Sequence, residues 1–91
     1  MKIRWTAPAA QDLENIYRYL QETQPGRARS TVVEIRSAVR SLKQFPFRGR
    51  KGVEEGTREV THVRLPFVLS YRVVEETVEI LNIWHGAQER K

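Results

Sequence analysis

From Ala9 to Leu42 the apolar residues keep helical spacing in two runs, interrupted once at Pro25-Gly26, and no other feature limits the fold as strongly. In the first run Ala9, Ala10, Leu13, Ile16, Tyr17 and Leu20 fall within an arc of about 120°, with Asp12, Asn15 and Tyr19 outside it. Thr6 offers an N-cap and Pro8 stands near the helix start, where a missing N–H costs nothing, so the spacing predicts a helix to about Glu22. In the second run Ala28, Val32, Ile35, Val39 and Leu42 share one face. A short connection between two such stripes predicts an antiparallel helix hairpin, whose apolar seam must be buried against another layer.

The rest of the chain supplies that layer. Met1 to Trp5 alternates and reads as a short strand. Phe45-Pro46-Phe47-Arg48-Gly49-Arg50-Lys51-Gly52 is expected to be a loop anchored by its aromatics. Thr57 to Arg64 favours a strand, Phe67 to Val74 is nearly continuous apolar and β-branched, Glu75-Glu76 supplies a turn, and Thr77 to Trp84 completes a meander. The expected fold is α+β: a short N-terminal strand and an antiparallel helix hairpin packed on an antiparallel four-stranded sheet, one domain over residues 1–91. No run approaches the length needed to cross a bilayer, and Met1 to Arg4 leads into no apolar signal segment, so the expectation is an unexported, cytoplasmic protein without a membrane partner.

Charge is distributed unevenly. The chain carries a net +5, but residues 25–52 alone hold eight basic residues against Glu34, a local +7. On the second helix Arg29, Arg36, Arg40 and Lys43 project within about 60° of one another, beside the apolar stripe. Two readings stay open: long cationic side chains covering the rim of a hydrophobic seam, or a docking surface for something acidic.

Few residues suggest chemistry. With no cysteine and only His62 and His85, which have no carboxylate at helical spacing, no metal or other cofactor is expected. Gly49 and Gly52 follow no strand and open no helix, so they form no phosphate loop, and neither Ser37 nor Ser41 has an evident base. His85 ends the last strand with Tyr71, Arg64 and Arg72 on neighbouring strands. Metal-free RNA cleavage needs a base for the 2′-OH, an acid for the leaving oxygen and cations for the phosphorane, and these types suffice if they converge.

The run Ala10-Gln11-Asp12-Leu13-Glu14-Asn15-Ile16, the Phe45–Arg50 loop, Arg58-Glu59-Val60, Pro66 to Val73 and Val78 to Gln88 together resemble the RelE/ParE superfamily of type II toxin-antitoxin toxins. The resemblance covers nearly the whole chain. It implies a small basic toxin in a hetero-oligomer with a cognate antitoxin, of the kind linked to plasmid stabilisation. RelE-like members are ribosome-dependent mRNA endonucleases with two lysines before the central hairpin, an Arg after the aromatic opening the central strand, and a late Arg and Tyr. Here the corresponding positions hold Glu59 and Thr61, Val68 and about Gln88, and no Tyr follows. His85 does resemble the C-terminal His of some family nucleases.

ParE-like members, which inhibit DNA gyrase by binding without catalysing a reaction of their own, are similar in the long hairpin and in the Tyr-Arg-Val strand followed by a strand ending in His. The favoured expectation is therefore gyrase inhibition with no catalytic residue, target contact falling on His85, Gln88 and Arg90. An acidic, partly amphipathic antitoxin segment is expected along Leu13, Ile16, Tyr17 and Leu20 or the flank Arg29, Arg36 and Arg40. The alternative is an mRNA endonuclease acting on the ribosome, using His85 with Arg64, Arg72 and Tyr71. A third class, a nucleic-acid-binding module, is disfavoured on the expectation that Phe47, Phe67 and Tyr71 belong to the core.

Overall fold

The chain leaves its first strand, β1 (Lys2–Trp5), at Thr6, and one hydroxyl there serves two elements. Thr6 Oγ1 accepts from the Ala9 N–H at 3.3 Å, capping helix α1 (Ala7–Thr23), and donates to the Ile80 carbonyl at 2.6 Å. Helix α2 (Pro25–Ser41) follows after the single residue Gln24. Pro25 thus lies in the first turn of α2, where its missing N–H would have no intrahelical partner, and the break falls one residue earlier than Pro25-Gly26 suggests. Four strands complete the chain: β2 (Arg50–Lys51), β3 (Arg58–Thr61), β4 (Phe67–Val74) and β5 (Thr77–His85). The computed structural model describes residues 1–61 and 65–86.

The sheet has the order β1-β5-β4-β3-β2. It is α+β as expected, but it has five strands and mixed direction: β1 runs parallel to β5, while the other pairs are antiparallel. The connection from β1 to its parallel neighbour β5 runs through the whole hairpin and strands β2 to β4. The extra strand, β2, lies inside the segment expected to be loop.

Both helices bury their stripes against one sheet face. Ala9 and Leu13 of α1 and Ile35 and Val39 of α2 join Leu42, Leu69, Tyr71, Val78, Ile80 and Ile83 in one core. Pairing shifts between Ser70 and Tyr71, so that Ser70 opposes Asn82 and Tyr71 opposes Ile80, leaving Leu81 as an extra residue on β5. This bulge keeps Ile80 and Ile83 both on the core face although they are three residues apart. Beyond Ile80, β5 runs past the end of β1. Asp12 takes over there, its carboxylate accepting from the Ile83 N–H at 2.9 Å and the Asn82 side chain at 3.3 Å.

The 45–52 loop is held differently from the expectation. Phe45 and Phe47 are exposed, at 57% and 59%, so they anchor nothing in the core. The tie comes from the sheet: the buried Tyr71 hydroxyl accepts from the Gly49 N–H at 3.0 Å, and Arg58 donates to the Phe47 and Gly49 carbonyls at 3.2 and 2.8 Å. A Cβ on residue 49 would stand 2.8 Å from Tyr71 Oη and 2.9 Å from the Glu59 carbonyl, which explains glycine at this position.

Candidate functional site

The apolar arc of α1 is wider than the core requires. Leu13 and Leu20 are buried and Ile16 is half-buried against the core, while Ala10 and Tyr17, at one margin of the arc, are exposed. Those marginal residues meet the half-buried Val32 of α2 and Trp5 of β1, and with Leu13, Glu14 and Arg36 they line a groove of about 550 Å³. A second groove of similar volume continues from it across the shared Trp5 and Arg36. Its walls are Met1 and the edge-strand residues Lys2 and Ile3 on one side, and Val39, Arg40 and Lys43 on the other. One channel thus runs between the hairpin and β1, apolar at one end and cationic at the other.

Of the seven residues expected to meet an antitoxin, Leu13, Tyr17, Arg36 and Arg40 line this channel. Leu20 and Ile16 belong to the packing beneath it. Arg29 is exposed about 10 Å further up α2 from Arg36, beyond the groove walls. Among the described residues no ion pair engages Arg29, Arg36, Arg40 or Lys43. Lys2 is a groove residue that sequence reasoning does not single out, Val32 is expected from the sequence only on the apolar face of α2, and Trp5 stays open there between core and contact surface. The signal for Trp5 was a tryptophan at the end of an alternating strand, which suits both core and contact surface.

Among the described residues the other sheet face carries no helix, and its carboxylates Glu79 and Glu59 are each paired with arginine. Glu79 on β5 stands opposite Arg72 on β4 and beside Arg4 on β1. Arg72 Nε donates to its carboxylate at 2.6 Å and Arg4 Nε at 2.9 Å, with Arg4 Nη2 on the same oxygen. Hydrogen bonds first from Arg4 and then from Arg72 hold the Glu79 carboxyl below its ordinary pKa. On the opposite flank Glu59 pairs with Arg50 at 3.6 Å and accepts from the Val53 N–H at 3.4 Å.

Of the residues named for nucleolytic chemistry, Tyr71, Arg72 and His85 are among the described residues, and these three do not meet. Tyr71 is fully buried, with its hydroxyl committed to Gly49. Arg72 is on the helix-free face, paired with Glu79. His85 is directly opposite Phe67, at the far end of β4, with its ring edge-on to Phe67 at 5.7 Å. Arg72 is five positions along β4 from Phe67, about 17 Å, and the two point to opposite faces. Val68, at the position where the family nucleases carry Arg, is buried. Arg64, Gln88 and Arg90 lie outside the described residues.

The described residues form a two-helix hairpin joined to a mixed sheet through a parallel edge strand, with an open channel beside it, consistent with the RelE/ParE fold. The comparisons agree: residues 3–90 match the family described as ParE toxin of type II toxin-antitoxin system, parDE, and the chain belongs to that family. The Sinorhizobium fredii protein Y4kP is 35% identical over 88 residues, covering 97% of this chain and 91% of that one. The chain is similar to a solved structure of the chromosomal ParDE toxin-antitoxin system from P. aeruginosa, with a TM-score of 0.86, 33% identity and coverage of 93% and 95%. The toxin-antitoxin complex RelBE2 from Mycobacterium tuberculosis is similar with a TM-score of 0.60, 31% identity and coverage of 92% and 95%. The chain is thus a type II toxin of the RelE/ParE superfamily, and no helix among its described residues is long and apolar enough to cross a membrane.

Proposed function

We propose that this toxin acts on DNA gyrase by protein-protein contact, without a chemical step of its own, and that a cognate antitoxin neutralises it by laying an acidic, partly amphipathic segment in the channel between the hairpin and β1. The observation carrying the first half is the dispersal of Tyr71, Arg72 and His85. General acid-base cleavage needs its proton donor and acceptor within hydrogen-bond reach of one phosphate, and these side chains are divided between the core, one sheet face and the far end of the other. The closer likeness to the ParDE structure than to RelBE2 supports the same reading. For the second half, the channel offers apolar surface at Trp5, Tyr17 and Val32 followed by cations at Arg36, Arg40 and Lys43, a sequence of chemistries that an acidic amphipathic segment complements.

The test is a pair of reactions run with the same toxin preparation: gyrase supercoiling and DNA cleavage, and translation of a defined mRNA probed for cuts. Lost supercoiling with trapped cleaved DNA and intact mRNA is the expected result. Ribosome-dependent cuts that vanish in His85→Ala, with gyrase unaffected, would make the chain an mRNA endonuclease.

A further inference from the structure

The channel does not account for the 43–52 segment, which displays two exposed phenylalanines among basic residues, ahead of Glu54 and Glu55. Phe45 and Phe47 stand 57% and 59% exposed, and no acidic residue occurs between Arg40 and Gly52. Their backbone is fixed: the Phe45 N–H donates to the Ser41 carbonyl at 3.0 Å, and the Arg48 N–H donates to the Phe45 carbonyl at 3.2 Å. Arg48 also donates to Ser41 Oγ at 2.6 Å. The Arg58 guanidinium lies 5.1 Å from the Phe47 ring centroid while donating to two loop carbonyls, and Lys51 stands directly opposite Arg58 in the β2–β3 ladder. Among the described residues Lys43, Arg48, Lys51 and Arg58 form no ion pair.

We propose that this loop binds single-stranded DNA, with Phe45 and Phe47 as stacking platforms for bases and Lys43, Arg48, Lys51 and Arg58 as phosphate contacts. Aromatic rings exposed from a hydrogen-bonded backbone, flanked by cations that form no ion pair among the described residues, supply the two components of sequence-tolerant single-strand recognition. An acidic protein would use the cations but would leave both rings facing charged side chains. The choice of DNA over RNA rests on the gyrase reading, because a toxin seated on that enzyme meets DNA. This surface lies outside the channel walls apart from Lys43, so the loop and the antitoxin groove are largely separate.

The experiment is fluorescence anisotropy of a labelled oligothymidylate of about 12 nucleotides, titrated with the full chain over a range of salt. Binding should weaken with salt with a log-log slope of about −3, for four phosphate contacts at roughly 0.7 each. Phe45→Ala should lower affinity on the order of tenfold and Phe45→Trp should preserve it, with oligouridylate bound no more tightly than the DNA. Phe45 makes no contact with Arg58 comparable to that of Phe47, so its replacement leaves the loop's anchors in place, and an unchanged thermal melt verifies this. No binding, binding indifferent to Phe45, tighter binding of oligouridylate, or Phe45-dependent capture of polyglutamate in place of DNA would each overturn the proposal. Gyrase is absent from this assay, so a negative result here and a failure to inhibit gyrase are read independently.

Discussion

The two sides of this small sheet use arginine in opposite ways. On the helix-free face Arg4, Arg72 and Arg50 are held by Glu79 and Glu59, and the carboxylates, not the arginines, are the buried partners. In the channel between the hairpin and β1, Arg36 and Arg40 have no such partner among the described residues and adjoin apolar surface that the core leaves over. A paired cation belongs to the fold, whereas an unpaired cation beside unused apolar area is available to a partner. The local +7 was therefore informative only once the carboxylates facing each arginine were known.

That contrast can be broken first by charge reversal. Changing Arg36 and Arg40 together to Glu should slow antitoxin association by roughly 10- to 100-fold and flatten its salt dependence, read by stopped-flow mixing at several ionic strengths. Equal rates in mutant and parent would mean these cations are merely solvated. The loop anchor comes next: Gly49→Ala forces a Cβ against Tyr71 Oη and the Glu59 carbonyl, with an expected loss of about 2 kcal/mol in urea unfolding. Tyr71→Phe, which leaves the Gly49 N–H without its acceptor, should cost about 1 to 2 kcal/mol.

On the paired face the effect is one of pH. The Glu79 carboxyl is held below its ordinary value by Arg4 and Arg72, so its stabilisation is present above the unfolded value near 4.5 and is lost as pH falls through the lower folded value. Glu79→Gln should remove that part of the acid limb from thermal melts below about pH 4.5 while antitoxin binding at neutral pH is retained. An unchanged acid limb would show that other carboxylates carry it. The smallest effect is at the β4–β5 turn, where Glu75 and Glu76 both adopt positive φ, 47° and 61°. Glu76→Gly should stabilise the protein by about 1 kcal/mol, because glycine adopts this conformation without the Cβ penalty.

Much of this architecture was legible in the sequence because it rests on periodicity. Thr6, the stripe from Ala9 to Leu20 and the β-branched run Phe67–Val74 each state their element locally. What was not legible depends on partners distant in sequence. The parallel pairing of β1 with β5 joins strands separated in the chain by the hairpin and three other strands, and the Leu81 bulge is a matter of register. Phe47 reads as core by residue type, yet Arg58, eleven residues on, turns the loop by binding its carbonyl and leaves the ring at the surface. The candidate site was partly legible for the same reason. Tyr17 and Arg36 lie at the margins of stripes that helical projection reveals, but Trp5 joins them only because β1 is the sheet edge.

The most direct measurement of the difference between the two faces is amide hydrogen exchange of the toxin with and without its antitoxin. The account predicts new protection along β1 and along the α1 and α2 turns that carry Tyr17, Val32 and Arg36, with the 53–57 loop and the β4 segment around Arg72 unchanged. Protection concentrated on that loop and on Arg72, with β1 exchanging as in the free toxin, would contradict it.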